Sequence, residues 1–268
     1  MRRLAVLLLL GLAAPAVAQT AFDVMDRRGE LLGWEAVGRI DTGRSFCTGT
    51  LIARDLVLTA AHCVFDRDGS QVPAERLRFR AGYHLGTEIA ARGVRRYAVA
   101  EGYRDGGGQK LSGQMIARDV ALLQLDRDIH AAEADPLIVH DAPVADSAVS
   151  VVSYGKGRAD VMSRQRRCDM TERFAGGVLE FDCDVTFGSS GSPVLVKVDG
   201  RLRILSVISA IAPNPSGEKR AYGMELSDHV ARLRSRLRRE ETQPQAGTGA
   251  RRVRVGDRSG TGARFVRP

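Results

Sequence analysis

The sequence predicts an all-β protein of short antiparallel strands that ends in one helix. Apolar runs of about four to eight residues recur along the chain and are separated by Gly, Asp and Pro. Several runs alternate polar and apolar residues, as between Arg201 and Val207, which is typical of a strand with one buried face. Roughly a dozen such strands at this spacing favour barrels or a sandwich.

The candidate strands fall into two groups on either side of a polar stretch. Residues 131–147 contain two prolines and several polar residues, so we predict the joint between two halves of the domain there. The candidate strands cover residues 36–41, 47–53, 55–60, 76–81, 94–100, 119–125, 148–154, 178–183, 193–198, 202–209 and 221–226.

One segment near the C-terminus has the periodicity of a helix. Ser227 is its predicted N-cap. Val230, Leu233 and Leu237 recur every three or four residues and form a stripe that we expect to pack on the preceding barrel. Residues 240–268 contain Gln-Pro-Gln, several Gly and few large apolar groups, so they are predicted to be a disordered basic tail.

The first 18 residues have the parts of a secretory signal peptide. Arg2 and Arg3 form the basic region, residues 4–12 are apolar, and Ala-Val-Ala at 16–18 is a small-residue cleavage site. The apolar run is too short for a permanent anchor, so we predict an exported protein with no membrane attachment after cleavage. An uncleaved anchor is the alternative. Residues 19–33 are then either a short propeptide or an ordered N-terminal arm.

The charge of the chain suggests a nucleic-acid binder at first sight, and its distribution argues against one. The formal net charge is +8, but Arg2 and Arg3 belong to the leader and residues 240–268 carry a net +3. Residues 19–239 therefore carry only +3. Aromatic residues make up 5% of the sequence, which disfavours binding by base stacking. We expect no nucleic-acid partner and a monomeric protein.

The four cysteines are disulfide candidates because an exported protein meets an oxidising compartment. Four cysteines allow three pairings. The local pairings, Cys47 with Cys63 and Cys168 with Cys183, close loops of similar length and are the expected ones. A zinc site built on Cys47, His62 and Cys63 is the alternative, which the absence of a Cys-x-x-Cys pair in the sequence disfavours.

Three short stretches carry residues suited to nucleophilic catalysis. His62 follows an apolar strand, Asp119 precedes another, and Ser190 lies in a Gly-Ser-Ser-Gly-Ser-Pro turn at 188–193. A serine hydroxyl is a weak nucleophile that needs a base, and a carboxylate can orient a histidine for that purpose. Each stretch alone has an ordinary structural explanation. Their occurrence together, in the order His, Asp, Ser, is far more specific.

These stretches resemble the motifs of the exported bacterial serine peptidases of the trypsin/chymotrypsin-like family. Residues 47–52 and 57–63 resemble the family's histidine region, 119–123 its aspartate motif and 188–194 its nucleophile motif, the last in the form of the bacterial branch near glutamyl endopeptidases. The resemblance implies two packed six-stranded antiparallel β-barrels with an active site between them. It covers a domain of residues 34–239.

The resemblance also implies a role for each residue. His62 is the general base and acid, Asp119 fixes its tautomer, and Ser190 is the nucleophile. The backbone N–H groups of Gly188 and Ser190 form the oxyanion hole. Ser189 stands where animal trypsins have the Asp that pairs with a freed N-terminal amine, so we expect no activation by that ion pair.

The resemblance gives weaker indications of which substrate residue the pocket would bind. Asp184 lies six residues before Ser190, the spacing at which trypsin-like enzymes carry the acid that binds substrate Arg or Lys. A simple turn residue is the equal alternative for Asp184. Ser209 and Ile211 fall at the pocket wall by the same resemblance, where Ile211 would narrow the pocket.

The predicted function is a serine endopeptidase that acts on protein or peptide substrates through an acyl-enzyme. It would be secreted or periplasmic and needs neither a cofactor nor a metal. The alternative is a binding protein that has the protease fold and has lost turnover. Such proteins usually lack a residue of the triad, and none is missing from this sequence.

Overall fold

The computed structural model describes residues 21–105, 112–142 and 147–242. The predicted leader of residues 1–18 lies outside the described residues, as does the tail beyond Thr242. The first three residues of the predicted tail, 240–242, belong instead to the C-terminal helix. No helix among the described residues is long and apolar enough to cross a membrane.

Fourteen strands run through the described residues, and most coincide with the candidate strands. They are β1 (Phe22–Val24), β2 (Val37–Asp41), β3 (Phe46–Ala53), β4 (Leu56–Thr59), β5 (Arg78–Ala81), β6 (Ala90–Val99), β7 (Ala121–Leu125), β8 (Ala148–Gly155), β9 (Arg158–Arg173), β10 (Val178–Phe181), β11 (Pro193–Val198), β12 (Arg201–Val207), β13 (Ala210–Pro213) and β14 (Lys219–Met224).

The first half is a closed antiparallel barrel of six strands in the order β2-β3-β4-β7-β6-β5. Its strands are short and apolar on the inner face, and Ile40, Leu51, Val57, Phe79 and Leu123 fill the interior with almost no exposure. Closure leaves the barrel without an edge, so every strand has two hydrogen-bonded neighbours. The predicted six-stranded barrel is confirmed here.

The second half is a curled sheet of eight strands. Its path is β12-β11-β8-β9-β10-β14-β13, and β1 pairs with β9 off this path. The expected count of six therefore holds for the first half, while the second half gains β13 and the N-terminal β1. No backbone ladder joins β12 to β14 in this path. Ser206 on β12 bridges them, since its hydroxyl donates to Met224 O at 2.8 Å and accepts from Met224 N at 2.9 Å.

The sequence did not predict β9, although it is the longest strand. Many of its positions are charged, and its buried positions include Ser163 and Gln165, so it lacks a strong apolar pattern. Pairing on both sides holds it instead, because β8 and β10 form ladders with it and β1 adds a third. Strand preference depends on such neighbours as much as on the residue type.

The described part of the N-terminal arm is built into the fold. Beyond β1, residues Arg28–Leu31 form a 3-10 helix whose Leu31 is buried in the main core, as is Met25. Two more 3-10 helices follow, Ala61–Val64 and Ala74–Arg76.

Two α-helices are present in the described residues. The short α1 (Gly113–Ile116) was not predicted. It begins after Ser112, whose side chain accepts from Met115 N. The C-terminal α2 (Ser227–Thr242) confirms the predicted helix and its stripe of buried residues. The stripe packs on β6 and β7 of the first barrel, and it belongs to a core cluster that also includes Ile204 and Val207 of the second half.

Both expected disulfides are present. Cys47 and Cys63 join β3 to the second 3-10 helix, and Cys168 and Cys183 join β9 to the segment after β10. Each half of the molecule therefore has one bridge.

Candidate active site

His62 and Asp119 lie side by side at one end of the first barrel. His62 is in the 3-10 helix that follows β4, and Asp119 lies two residues before β7. Because β4 and β7 are antiparallel neighbours, with Thr59 opposite Ala121, the segment leaving β4 meets the one entering β7. The sequence places these residues far apart, and the barrel brings them together.

The Asp119 carboxylate accepts three hydrogen bonds and is almost fully buried. His62 Nδ1 lies 2.7 Å from Oδ2, and the His62 backbone N–H donates to Oδ1 at 2.8 Å. The Ser209 hydroxyl donates to Oδ2 at 2.6 Å. The proton on Nδ1 is thereby fixed, which leaves Nε2 of the neutral imidazole as a base. Ser209, which is predicted to lie at a pocket wall, is the residue that makes this third contact with the carboxylate.

Opposing effects set the pKa of His62. Partial burial lowers it, while the charge of Asp119, the hydrogen bond to that carboxylate and the charge of Asp105 raise it. The raising effects outweigh burial, so the pKa of His62 lies above the ordinary value of a histidine. Asp105 contributes from the loop beyond β6 and was not singled out in the sequence.

Ser190 lies in a tight turn, and three of the five N–H groups of residues 188–192 donate to backbone carbonyls of the protein. Ser189 N donates to Thr186 O, Gly191 N to Ile208 O, and Ser192 N to Ser189 O. Among the described residues, the N–H groups of Gly188 and Ser190 have no acceptor. Unpaired donors are rare inside proteins, so a pair of them in one turn is a candidate binding site for an anionic oxygen.

Neighbouring hydrogen bonds fix the direction of these two donors. Phe187 O accepts from Lys156 N at 2.7 Å, and Ser189 O accepts from Ser192 N at 3.0 Å. In a trans peptide the N–H points opposite to the carbonyl, so the N–H groups of Gly188 and Ser190 point away from these partners. Gly188 has a φ of +91°, and a Cβ there would collide with the Phe46 ring.

Thr48 on β3 fastens the turn to the first barrel. Its backbone N–H donates to Ser190 O at 2.9 Å, and its hydroxyl donates to Gly188 O at 3.0 Å. The same hydroxyl accepts from Tyr154 N on β8 at 3.1 Å. One fully buried side chain thus joins both halves beside Ser190, and no sequence motif singles it out.

Arg158 supports the turn from the second half. Its guanidinium donates to Ser153 O at 2.6 Å, to the Ser153 hydroxyl at 3.0 Å and to the Ser189 hydroxyl at 3.3 Å. The Phe22 ring covers it at 4.0 Å. Burial lowers the pKa of Arg158 to about 10, against the opposing charge of Asp184. No carboxylate among the described residues forms an ion pair with it.

His62, Gly188 and Ser190 line one open cleft of about 1080 Å³. The Ser190 hydroxyl has no hydrogen bond to His62 in the described structure, so the two side chains share the cleft without a direct link. In proteins of this chemistry such a bond often tightens only when substrate is bound.

The remaining predicted pocket residues, Asp184 and Ile211, do not line this cleft. The Asp184 side chain is 70% exposed and pairs with Lys219 at 2.8 Å, so it is not a buried carboxylate at a pocket floor. The reason lies in its neighbours, because Cys183 and Val185 both point into the core. The half-buried Ile211 packs against the core of the second half.

Two groups of candidate metal ligands occur in the described residues, and both contain a disulfide. Cys47, His62 and Cys63 form one, and Cys168, Asp182 and Cys183 the other. Disulfide sulfurs cannot supply the thiolates that a zinc site needs. The zinc alternative at His62 therefore does not fit this structure.

The family comparison agrees with the site. Residues 47–203, more than half of the chain, match the family described as the trypsin-like peptidase domain. The chain belongs to the trypsin-like peptidase family. The matched region includes all three candidate catalytic residues. No curated protein matches the sequence.

Solved structures with the same fold are proteases of low sequence identity. A Glu endopeptidase in complex with MPD is 18% identical, with a TM-score of 0.65, over 82% of this chain and 97% of its own. The thermostable serine protease AL20 from an extremophilic microorganism is 15% identical, with a TM-score of 0.61, over 76% and 96%. The protease Anisep from Arthrobacter nicotinovorans is 16% identical, with a TM-score of 0.59, over 74% and 93%.

Proposed function

We propose that the protein is a serine endopeptidase with His62 as base, Asp119 as its orienting carboxylate and Ser190 as nucleophile. The observation that carries this proposal is the shared cleft, where an oriented imidazole and a serine lie beside two unpaired N–H donors. Membership of the trypsin-like peptidase family supports it.

In the first half of the proposed reaction, His62 Nε2 removes the hydroxyl proton of Ser190. The serine Oγ then forms a bond to the carbonyl carbon of the substrate. The carbonyl oxygen becomes an oxyanion, which the N–H groups of Gly188 and Ser190 stabilise. His62 next gives its proton to the leaving amine, the carbon–nitrogen bond breaks, and an acyl-enzyme is left.

In the second half, water replaces the amine. His62 takes a proton from the water as its oxygen attacks the ester carbon, and the same two N–H groups stabilise the second oxyanion. The bond to Ser190 breaks, and His62 returns the proton to the serine. Asp119 stays ionised throughout and stabilises the imidazolium in both halves.

Strand β13 offers a place for the substrate backbone. It ends the path of the second sheet, so one of its edges has no partner strand within the described chain. An extended peptide can add to such an edge by main-chain hydrogen bonds. Ser209, which immediately precedes β13, links this edge to Asp119.

The ordered arm and the two disulfides bear on how the protein matures. The described arm residues contribute β1, Met25 and Leu31 to the fold, which supports an arm that is retained over a propeptide that is removed. The location of the protein is a separate point. Disulfides form and persist outside the reducing cytoplasm, and this chain has two, so we propose a secreted or periplasmic enzyme.

A fluorophosphonate probe tests the proposed function, because it reacts with a serine activated by a base and an oxyanion hole. We expect one adduct, which mass mapping places on Ser190, and none on the Ser190→Ala variant. Absence of labelling on folded wild-type protein would instead favour a binding protein that has lost turnover.

A further inference from the structure

Three cationic side chains from three separate loops line the cleft that holds His62 and Ser190. Arg44 lies in the turn between β2 and β3, Arg67 in the loop after the 3-10 helix of His62, and Lys156 in the turn between β8 and β9. All three are exposed. None forms an ion pair with another described residue, although the charge of Arg44 acts on the nearby Asp68.

The carboxylates of the same region already have donors. Asp66 lines the cleft and pairs with Arg76 at 3.1 Å. Asp105 also lines it and accepts from the Tyr103 hydroxyl at 3.4 Å. Asp68 lies on the exposed loop beyond. It accepts a hydrogen bond from the Ser70 hydroxyl, and this bond together with the charge of Arg44 lowers its pKa. Three cations and two carboxylates line the cleft, and Arg76 offsets the charge of Asp66, so the lining carries an excess of positive charge although Asp105 keeps its own.

The position of the cleft indicates which part of a substrate it would hold. From His62 it extends past Cys63 and Phe65 to Arg67, whereas neither Ser209 nor β13 lines it. His62 delivers a proton to the leaving amine, so the residues after the scissile bond depart on the His62 side. This side of the cleft would hold the leaving part of the chain.

We propose that this cleft selects substrates with Asp or Glu among the residues that follow the scissile bond. The inference rests on the proposed function for the direction of the chain. Like charges along one cleft strengthen the local potential and raise the concentration of an oppositely charged ligand. Exposed charge pairs are individually weak and sensitive to salt, so the preference comes from all three cations together.

Binding to the inactive Ser190→Ala variant tests the proposal without relying on turnover. The probes are two fluorescein-labelled alanine peptides, one with Asp-Glu-Asp in its C-terminal half and one with Asn-Gln-Asn at the same positions. We expect the acidic peptide to bind about tenfold more tightly at low salt, as a few exposed charge pairs allow. The difference should shrink as salt is added.

A matched pair of triple variants separates the cleft from the overall charge. The cleft variant combines Arg44→Gln, Arg67→Gln and Lys156→Gln. The control combines Arg54→Gln, Lys197→Gln and Arg201→Gln, which removes the same charge from exposed residues that do not line the cleft. We expect the preference to disappear in the cleft variant and to persist in the control.

Two results would overturn the proposal: equal binding of both peptides, or equal loss of preference in both triple variants. The second would mean that net charge alone attracts acidic peptides. For active wild-type enzyme, a peptide-library cleavage profile should show Asp and Glu enriched after the scissile bond. Failure of fluorophosphonate labelling bears only on the proposed function, because the binding measurement does not depend on catalysis.

Discussion

The two halves of the molecule hold their parts of the site by different means. In the first half, His62 and Asp119 follow and precede neighbouring strands of a closed barrel, and ladder geometry sets their positions. In the second half, Ser190 lies in a turn held by hydroxyls, glycine conformations and the guanidinium of Arg158. A barrel edge positions side chains through its backbone, whereas the turn depends on individual side chains, so point substitutions should disturb the second half more selectively.

The largest expected effect comes from removing one catalytic group from each half. Ser190→Ala should lower kcat by about a million-fold, because nucleophile and base act as a unit. His62→Ala should lower it nearly as much, and the double variant little further. Steady-state kinetics on a peptide substrate measures all three. Additive losses would show that the two halves contribute independently and would contradict the proposed triad.

Each half contains one disulfide, so removing either one compares how much the two bridges contribute to the free energy of unfolding. Their sequence separations are 16 and 15, so each should stabilise the fold by about 3 kcal/mol. Denaturant unfolding should give similar losses for Cys47→Ala/Cys63→Ala and Cys168→Ala/Cys183→Ala. Only the first pair adjoins His62, so it alone should also reduce kcat of the fraction that remains folded. Equal reductions of kcat in both double variants would show that the bridge beside His62 has no special effect on the site.

Arg158 tests whether the turn of Ser190 depends on one side chain. Arg158→Met removes three hydrogen bonds from behind Ser189, and we expect kcat to fall about a hundredfold through misplacement of the nucleophile, with KM nearly unchanged. Stability should change by less than about 1 kcal/mol, because a partly buried charge without a carboxylate partner is removed as well.

The conservative variant Arg158→Lys retains the positive charge but lacks the planar guanidinium and its several N–H donors. It should recover only part of the lost kcat. Parallel losses of kcat and stability in Arg158→Met would mean that the guanidinium supports the fold in general rather than the turn.

Thr48 and Thr50 form a natural pair for testing the contact between the halves. Both are fully buried on β3, but only the Thr48 hydroxyl has partners, and that of Thr50 has none among the described residues. Thr48→Val should cost about 1–2 kcal/mol and lower kcat, because Gly188 O and Tyr154 N lose their partner. Thr50→Val should leave both quantities unchanged or raise stability slightly. Thermal unfolding and steady-state kinetics on both variants provide the measurement.

The smallest effect concerns pH. The pKa of His62 lies above its ordinary value, and only the neutral imidazole is a base, so kcat/KM should rise with pH through a pKa above that value. Asp105→Asn removes one of the raising charges and should move this limb to lower pH. A limb that stays in place would exclude Asp105 from the electrostatics of the site.

Protonation of His62 affects the stability of the fold in the opposite direction. Its pKa in the folded state is raised above the unfolded value, so the stabilisation from this group is complete below the unfolded pKa. It is lost as the pH rises through the folded pKa. Activity gained through His62 at higher pH is therefore accompanied by a loss of this stabilisation.

The first half could be predicted from the sequence almost strand by strand, because its buried faces are occupied by aliphatic residues such as Val57 and Leu123. The strand β9 could not, since Ser163 and Gln165 occupy buried positions that usually hold apolar groups. Its stability comes from ladders with distant segments, which no local pattern reveals. The short β13 is defined in the same way by its ladder with β14. The α1 helix has only four residues, too few to show a helical period.

Among the site residues, His62, Asp119 and Ser190 could be selected by chemistry and order, whereas their surroundings could not. Asp184 was counted toward a pocket by its distance from Ser190, yet the alternation between Cys183 and Val185 turns it outward. Thr48 and Arg158 have no motif of their own. Their roles follow from which carbonyls and hydroxyls the fold brings within reach of them.

The single-residue bridge between β12 and β14 has a consequence for motion. Elsewhere in the second half, neighbouring strands are held by several ladder bonds. Between β12 and β14 the Ser206 hydroxyl bonds to Met224, and the next bond, from Ser209 N to Tyr222 O, lies beyond the end of β12. Local opening begins where few hydrogen bonds must break together. The contact between β12 and β14 should therefore open more often than the ladders around it. Strand β13 is attached to the sheet only through β14. Fluctuations between β12 and β14 can therefore reach the strand edge beside Asp119 without passing through the first barrel.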